Sequence, residues 1–373
     1  MRQLHTLAPC RLRPKICRRN GGNVMTHPKT AVDSFVCANT DHGFFSLIPQ
    51  LFTPAACDRI YILKGTPGSG KSTFLRTVAE KAELCGYTVE RIRCSSDPAS
   101  YDGVFLPQKK TVLFDGTAPH AIEPACPGGC EVIVDLYGLI DDEVLKKQKE
   151  KLRSLTAEKA AHWRDAYRLL SAAGELRQVR QELLLASFLP EKAERTAERM
   201  LRREMRGAAS PRFRSAFCAE GIKTLPAAKS ERTVFFSGSA GTEVPFFSVF
   251  DRVSRRYEIG GIRYLSVRHP AETEGMLTAG GTLYSVSDPD TADDVVSLRR
   301  FYDSERLARL RPKIRALTRE EQTLRYNAAE ELKEAMRAHF DIERLIGPAV
   351  DFEALERRCA AFCEKLFKSL EKV

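Results

Sequence analysis

The stretch Arg59-Ile-Tyr-Ile-Leu-Lys-Gly65-Thr-Pro-Gly-Ser-Gly70-Lys-Ser-Thr-Phe-Leu-Arg-Thr-Val-Ala-Glu-Lys-Ala82 decides the reading of this chain. Its centre, Gly65 to Ser72, matches the phosphate-binding pattern G-x-x-x-x-G-K-[ST]. Ile60 to Leu63 form a β-favouring apolar run, as a buried parallel strand requires. Beyond the loop, Phe74, Leu75, Val78 and Ala82 recur at helical spacing. Strand, glycine loop and helix arrive in the order that an anion cradle needs.

The chemistry expected there follows from residue type. Gly65, Gly68 and Gly70 let the backbone take conformations closed to other residues and approach a phosphate closely. The backbone of Thr66, Pro67, Gly68, Ser69 and Thr73 then lines a concave anion site at a helix N-terminus, with N–H donors from all but Pro67. Lys71 is expected to reach the terminal phosphates and the Ser72 hydroxyl to ligate Mg²⁺. The alternative is a glycine turn that binds nothing, which the correct flanks disfavour.

At 373 residues, with 43% hydrophobic and 29% charged residues, the composition is that of an ordinary globular protein of two or three domains. No apolar run approaches the roughly 18–20 residues that span a bilayer, so no membrane partner and a cytoplasmic location are expected. The net charge of +10 points to nucleic acid only superficially. Six of the 59 basic residues precede Met25, in a segment without acids. The other 53 face 49 acidic residues, a balance that argues against a polyanion partner. This basic leader reads either as a targeting peptide or as sequence upstream of a true start at Met25, and residues 1 to about 35 are expected to lack order.

Eleven cysteines, scattered and odd in number, argue against a disulfide framework and suit a reducing compartment. Cys126 and Cys130 have metal-like spacing, with Cys94 and His120 as the further ligands that folding would have to supply. Cys359 falls on an apolar helical stripe with Phe352, Leu355, Phe362 and Leu366, and is read as packing.

The chain repeats itself. In the first half, strands are expected at Thr88–Ile92, Thr111–Asp115 and Val132–Leu136, followed by a charged helical arm over about 141–208. In the second, strands at Thr233–Phe236, Tyr264–Val267 and Thr282–Val286 precede a helical tail from about Asp293. Gly70 to Pro98 spans 28 residues and Glu243 to Pro270 spans 27. Lys151-Leu-Arg-Ser-Leu-Thr156 aligns with Lys313-Ile-Arg-Ala-Leu-Thr318, and both arms break near a proline, Pro190 or Pro348. The expected architecture is α/β, a P-loop NTPase with two tandem, mostly parallel-sheet domains. They cover about 36–210 and 211–373, the second degenerate and each carrying a helical arm.

The second loop, Gly238-Ser-Ala-Gly-Thr-Glu-Val-Pro245, has lost its chemistry. Glu243 sets a negative charge where phosphate would sit, Val244 removes the cation, and Pro245 removes the hydroxyl and an amide. Val286 stands where the first half has Asp115. In that first half Asp115, at a strand end, is the Walker B-type candidate for Mg²⁺. Asp97, Asp102 and His120, on loops at strand ends, are candidates to orient water or an acceptor hydroxyl, or else cap their loops. Arg164, Arg168 or Arg268 could serve as an arginine finger. No N-K-x-D guanine signature occurs, which leans to ATP over GTP.

With these residues in view, the chain resembles a family of uncharacterised, mostly clostridial tandem P-loop proteins regarded as ATPases or nucleotide-kinase-like. The matching pieces are Gly43-Phe-Phe-Ser-Leu, the 65–72 loop, Cys94-Ser-Ser-Asp-Pro, Asp102-Gly-Val and Asp115-Gly-Thr-Ala-Pro-His120. The resemblance covers most of the chain from about residue 40 and implies a nucleotide-binding fold, departing from it by the loss of the second loop. The functional expectation is an ATP- and Mg²⁺-dependent ATPase with one competent site. A small-molecule or nucleotide kinase and a non-enzymatic ATP switch that binds a protein partner are the alternatives.

Overall fold

The computed structural model describes residues 32–119 and 121–368. The expected strand and helix around the loop are present as β4 (Arg59–Lys64) and α2 (Lys71–Leu84). Around β4, the strands β1 (Val32–Ser34), β5 (Glu90–Arg93), β6 (Tyr101–Leu106), β7 (Thr111–Asp115) and β8 (Glu131–Asp135) form a six-stranded sheet. Its order is β1-β5-β6-β7-β4-β8. Both neighbours of β4 run parallel to it, whereas β6 is antiparallel to β5 and to β7. A hairpin, β2 (Cys37–Thr40) and β3 (Gly43–Ser46), and the short α1 (Ile48–Leu51) lie between β1 and β4.

The second half repeats this plan strand for strand. Its strands are β9 (Ala209–Phe213), the hairpin β10 (Ser215–Cys218) and β11 (Gly221–Thr224), β12 (Arg232–Ser237), β13 (Gly261–Leu265), β14 (Thr273–Thr278), β15 (Thr282–Ser285) and β16 (Asp294–Ser297). Helix α6 (Glu243–Arg256) follows β12 as α2 follows β4. The sheet order β16-β12-β15-β14-β13-β9 is that of the first sheet written in reverse, with the same parallel and antiparallel neighbours. Both sheets are mixed and mostly parallel.

Two expectations need correction here. The tail expected to be helical from Asp293 opens with β16, because Val295 and Val296 are β-branched and pair with β12. Residues 32–35, at the edge of the segment expected to lack order, are ordered: β1 pairs with β5, and Phe35 is fully buried; the rest of that segment lies outside the described residues.

The helices tie the halves together. The first half ends in α3 (Asp142–Lys147), α4 (Lys149–Leu185) and α5 (Pro190–Leu201); the second ends in α7 (Ser304–Ile346) and α8 (Phe352–Lys368). Helices α4 and α7 pack side by side and antiparallel, since Lys159 meets His339, His162 meets Glu331 and Arg180 meets Glu321. Each arm then ends on the opposite half. Leu184, Ala193 and Ala197 of α4 and α5 join the core around Phe246 and Phe250 of α6. Leu355, Cys359, Cys363 and Leu366 of α8 join the core around Phe74 and Leu75 of α2. The arms are exchanged.

A pseudo-twofold axis follows from this arrangement. Phe35 and Phe213, equivalent residues at the ends of β1 and β9, exchange reciprocal backbone hydrogen bonds of 2.9 Å. Around them a shared core collects Val36, Phe217, Ala166, Leu170, Ala328 and Leu332, from the hairpin regions of both halves and both long helices. Arg212 of β9 crosses to donate to the buried carboxylate of Glu90 on β5 at 2.9 Å. Breaking one member of such a buried pair costs about 3–5 kcal/mol.

Candidate functional site

The 65–72 loop joins β4 to α2 at the carboxyl ends of three parallel strands, the side on which open α/β sheets carry ligand sites. Gly68 and Gly70 adopt φ of +73° and +81°, a region that costs other residues strain. Gly65 is required for space rather than angle, because a Cβ there would meet Ser69 Oγ at 2.5 Å and Leu136 Cβ at 3.2 Å. Ser69 is buried and closes the turn onto the Thr66 carbonyl, through its amide at 3.2 Å and its hydroxyl at 2.8 Å. The Thr66 hydroxyl is buried without a partner.

Lys71 is buried and folded back over the loop. Its Nζ donates to the carbonyls of Gly65 (3.1 Å) and Thr66 (2.7 Å) and lies 3.7 Å from Asp115 Oδ2. Asp115 ends β7, and its other oxygen accepts from the amide and hydroxyl of Thr117, at 2.9 and 2.6 Å. Burial pushes the Asp115 carboxyl above the ordinary range; the Lys71 charge and the Thr117 hydrogen bonds oppose this. A cation near this pair would hold Asp115 ionised.

The other expected residues divide. The Ser72 hydroxyl stands at the start of α2, accepts from the Tyr101 amide at 3.0 Å and lies 3.5 Å from Ser100 Oγ. Asp102 is buried within β6 rather than on a loop, close enough to act on Asp115. Asp97 turns away: its carboxylate accepts from the Ala99 amide at 3.2 Å, closing its own turn. It also lies near the Cys218 thiol, which burial pushes up and Asp97 raises slightly further. Thr73 is exposed on α2, and His120 lies outside the described residues. No third ligand joins Cys126 and Cys130 among the described residues.

Three residues that sequence reasoning missed stand over the loop, all from the long helices. Glu343 of α7 packs its Cα and Cβ about 3.3 Å from the place a Gly68 side chain would occupy. Hydrogen bonding from His339 chiefly holds the Glu343 carboxyl below its ordinary range, with help from the Gly68 amide and the Lys71 charge. Lys159 of α4 lies 3.4 Å from the other nitrogen of His339, and burial lowers its ammonium pKa against the pull of Glu343. A carboxylate therefore touches the loop where an incoming anion would seek amides. Leu355 of α8 completes the cover, 2.3 Å from a Cβ placed on Gly70. The only local signal was the His339 to Glu343 spacing on one helical face.

The equivalent loop of the second half borders a cavity of about 350 Å³ lined by Arg180, Arg268, Arg325, Glu243, Glu274 and Glu321, among others. Arg268, a finger candidate for the first site, is here instead. Arg164 and Arg168 are exposed on α4 and pair with Asp165. No family model, curated protein or solved structure matches the chain. The functional reading rests on its own residues.

Proposed function

We propose that this chain binds ATP with Mg²⁺ at residues 65–72 and hydrolyses it, with one competent site in the molecule. The observation that carries the reading is the pairing of a glycine cradle in left-handed conformation with Lys71 and Asp115 at 3.7 Å. The donor set suits a polyphosphate and its cation: loop amides and Lys71 for phosphate oxygens, Ser72 and Asp115 for Mg²⁺. The partnerless Thr66 hydroxyl adds a donor in the same turn. Bound Mg²⁺ would neutralise phosphate charge, and ATP would supply the transferable phosphoryl group.

The protein's part is positioning and charge. Lys71 exchanges two backbone carbonyls for phosphate oxygens. Asp102, beside Asp115, keeps a second carboxylate at the same strand ends. Glu343 must yield the Gly68 amide before phosphate takes it.

That displacement also favours a second reading, an ATP-dependent switch. Glu343 and Leu355 belong to an arm that crosses from the other half, so filling the loop moves a structural element as well as a side chain. Three measurements separate the readings: equilibrium binding of ATP against GTP, phosphate release without an acceptor, and phosphate transfer with candidate acceptors. Release without an acceptor supports hydrolysis, transfer only with an acceptor supports a kinase, and tight binding without turnover supports the switch. Absence of ATP binding in the presence of Mg²⁺ would end all three.

A further inference from the structure

On the pseudo-twofold axis side of the first hairpin, three potential metal ligands from the two halves converge. Asp41 and His42 form the β2–β3 turn, and His269 lies in the loop after β13. The His269 Nδ1 stands 3.3 Å from Asp41 Oδ2, and the His42 Nε2 stands 3.9 Å from Asp41 Oδ1. One ligand atom from each of the three lies within 4.8 Å of the others. Ligands on a tetrahedral zinc ion at about 2.0–2.1 Å stand about 3.3 Å apart, so small rotations of the two imidazoles close the set.

The surroundings support a cation here. Asp41 is buried, and Gly174 of α4 leaves it no room to withdraw: a Cβ at Gly174 would meet the Asp41 Cβ at 2.7 Å. A buried carboxylate is costly unless it is paired with positive charge. Among the described residues, the partners within ion-pair distance are the two histidines. Arg325 also acts on Asp41, but its own hydrogen-bonded ion pair, at 3.0 Å, is with Glu321. The turn is fixed locally, since the His42 amide donates to Thr40 Oγ1 at 3.1 Å and the Thr40 hydroxyl to the Gly43 carbonyl at 2.8 Å. Nor is the cluster a by-product of duplication. Its counterparts across the axis are Ala219, Glu220 and Asp97, without a histidine.

We propose that Asp41, His42 and His269 bind a divalent transition-metal ion of the zinc class, which clamps the two halves and leaves a coordination position for water. Two imidazoles and one carboxylate favour zinc, cobalt or nickel over magnesium or calcium. The site is independent of the 65–72 loop and of the function proposed for it.

The test uses the whole chain without a polyhistidine tag, stripped with a chelator and titrated with Zn²⁺ and with Co²⁺. One equivalent of Zn²⁺ per chain, a visible absorption band with Co²⁺ and a rise in melting temperature with Zn²⁺ are expected. His269→Ala and Asp41→Asn lower the affinity by at least about tenfold, the scale on which even outer partners of metal sites matter. His42→Ala, at an exposed position, gives the same loss without a folding risk. His162→Ala and the double variant Cys126→Ser/Cys130→Ser retain full binding. Substoichiometric binding in the wild type overturns the site, as does wild-type affinity in both His269→Ala and His42→Ala. Loss of binding in the cysteine variant alone assigns the metal elsewhere and overturns it equally.

Discussion

The two loops differ less in shape than in chemistry. In both, the first glycine is pinned by the same neighbours: Gly65 by Ser69 and Leu136, Gly238 by Thr242 and Leu298. The Ser69 amide reaches the Thr66 carbonyl at 3.2 Å, and the Thr242 amide reaches the Ser239 carbonyl at 3.2 Å. Gly68 and Gly241 both take a left-handed φ, +73° and +87°. The paths differ at the third position, where Ala240 takes a φ of 55° that the Pro67 ring forbids, and part at the sixth, where Gly70 holds a left-handed φ and Glu243 begins α6. Even the covering arms correspond, with Glu343 against Gly68 and Gln181 donating to the Gly241 carbonyl at 3.3 Å. Packing preserves the turn; the last three residues carry the charge handling. On the proposed function, the second half has lost a site without losing its form.

The largest effect should come from the cation. Lys71→Ala is expected to lower ATP binding and turnover by about a hundredfold or more, the scale on which a preorganised charge donor matters. Val244→Ala, at the equivalent position, should leave both unchanged. Equilibrium ATP binding and phosphate release check both variants, and retained affinity in Lys71→Ala would refute the site. Restoring Glu243→Gly, Val244→Lys and Pro245→Ser together should give the second loop phosphate affinity but no turnover, since Val286 supplies no carboxylate.

Glu274 and Asp102 occupy the same position in β14 and β6, one residue before Gly275 and Gly103. Burial pushes the Glu274 carboxyl to about 7, with Arg268 and Ser215 opposing. Between the ordinary glutamate range and about pH 7 the folded chain thus holds a proton that the unfolded chain has released, so stability falls as pH rises across that window. The cavity screens the group, and the slope is expected to amount to about 1–3 kcal/mol. Urea unfolding at about pH 5 and about pH 7 measures it, and Glu274→Gln should flatten it. An unchanged slope in that variant would place the pH dependence elsewhere.

Much of this comparison could be read from the chain before folding, because it lies in local patterns. The loop, its flanking strand and helix, the repeat spacing and the substitutions at Glu243 to Pro245 are all short-range signals. Strand β6 was not legible: Asp102 and Gly103 sit inside it, residues that strands ordinarily avoid. Gly103 is there because the Leu113 carbonyl approaches to 2.8 Å of where its Cβ would be. The exchange of arms was not legible either. An apolar stripe on α4 or α7 announces a buried face but not which sheet buries it. Lys159 and Glu343, among the dense Lys, Arg and Glu of the arms, therefore read as solvated charges, and their place over the loop, with that of His339, is a property of the folded chain alone.

A smaller effect should come from Glu343. Its depressed pKa leaves it ionised at neutral pH, where on the proposed function it would compete with phosphate for the Gly68 amide. Glu343→Gln should tighten ATP binding about three- to tenfold, the worth of about one charge-assisted hydrogen bond. The sign with pH is fixed: a depressed carboxylate stabilises the fold above its ordinary range, and that contribution is lost as pH falls through the lowered value. The arm's hold on the loop should loosen in acid. In the second half, Gln181→Glu should leave ATP binding unchanged, and weakened binding there would mean that the 238–245 loop still takes nucleotide.

The smallest effect is the one expected along α4 itself. Arg164 and Arg168 are exposed and share the half-buried Asp165, whereas Lys159, five and nine residues earlier, is half-buried beside His339. Exposed pairs of this kind contribute about 0–1 kcal/mol, so Arg164→Ala and Arg168→Ala should change stability by less than about 0.5 kcal/mol and leave turnover unaltered. Lys159→Ala removes a cation that faces Glu343 and should slow turnover while the two arginine variants do not. Were either arginine variant to lose activity, the α4 face lining the site would be misassigned. The contrast between Lys159 and the 65–72 loop's other half-buried neighbours would then have to be redrawn.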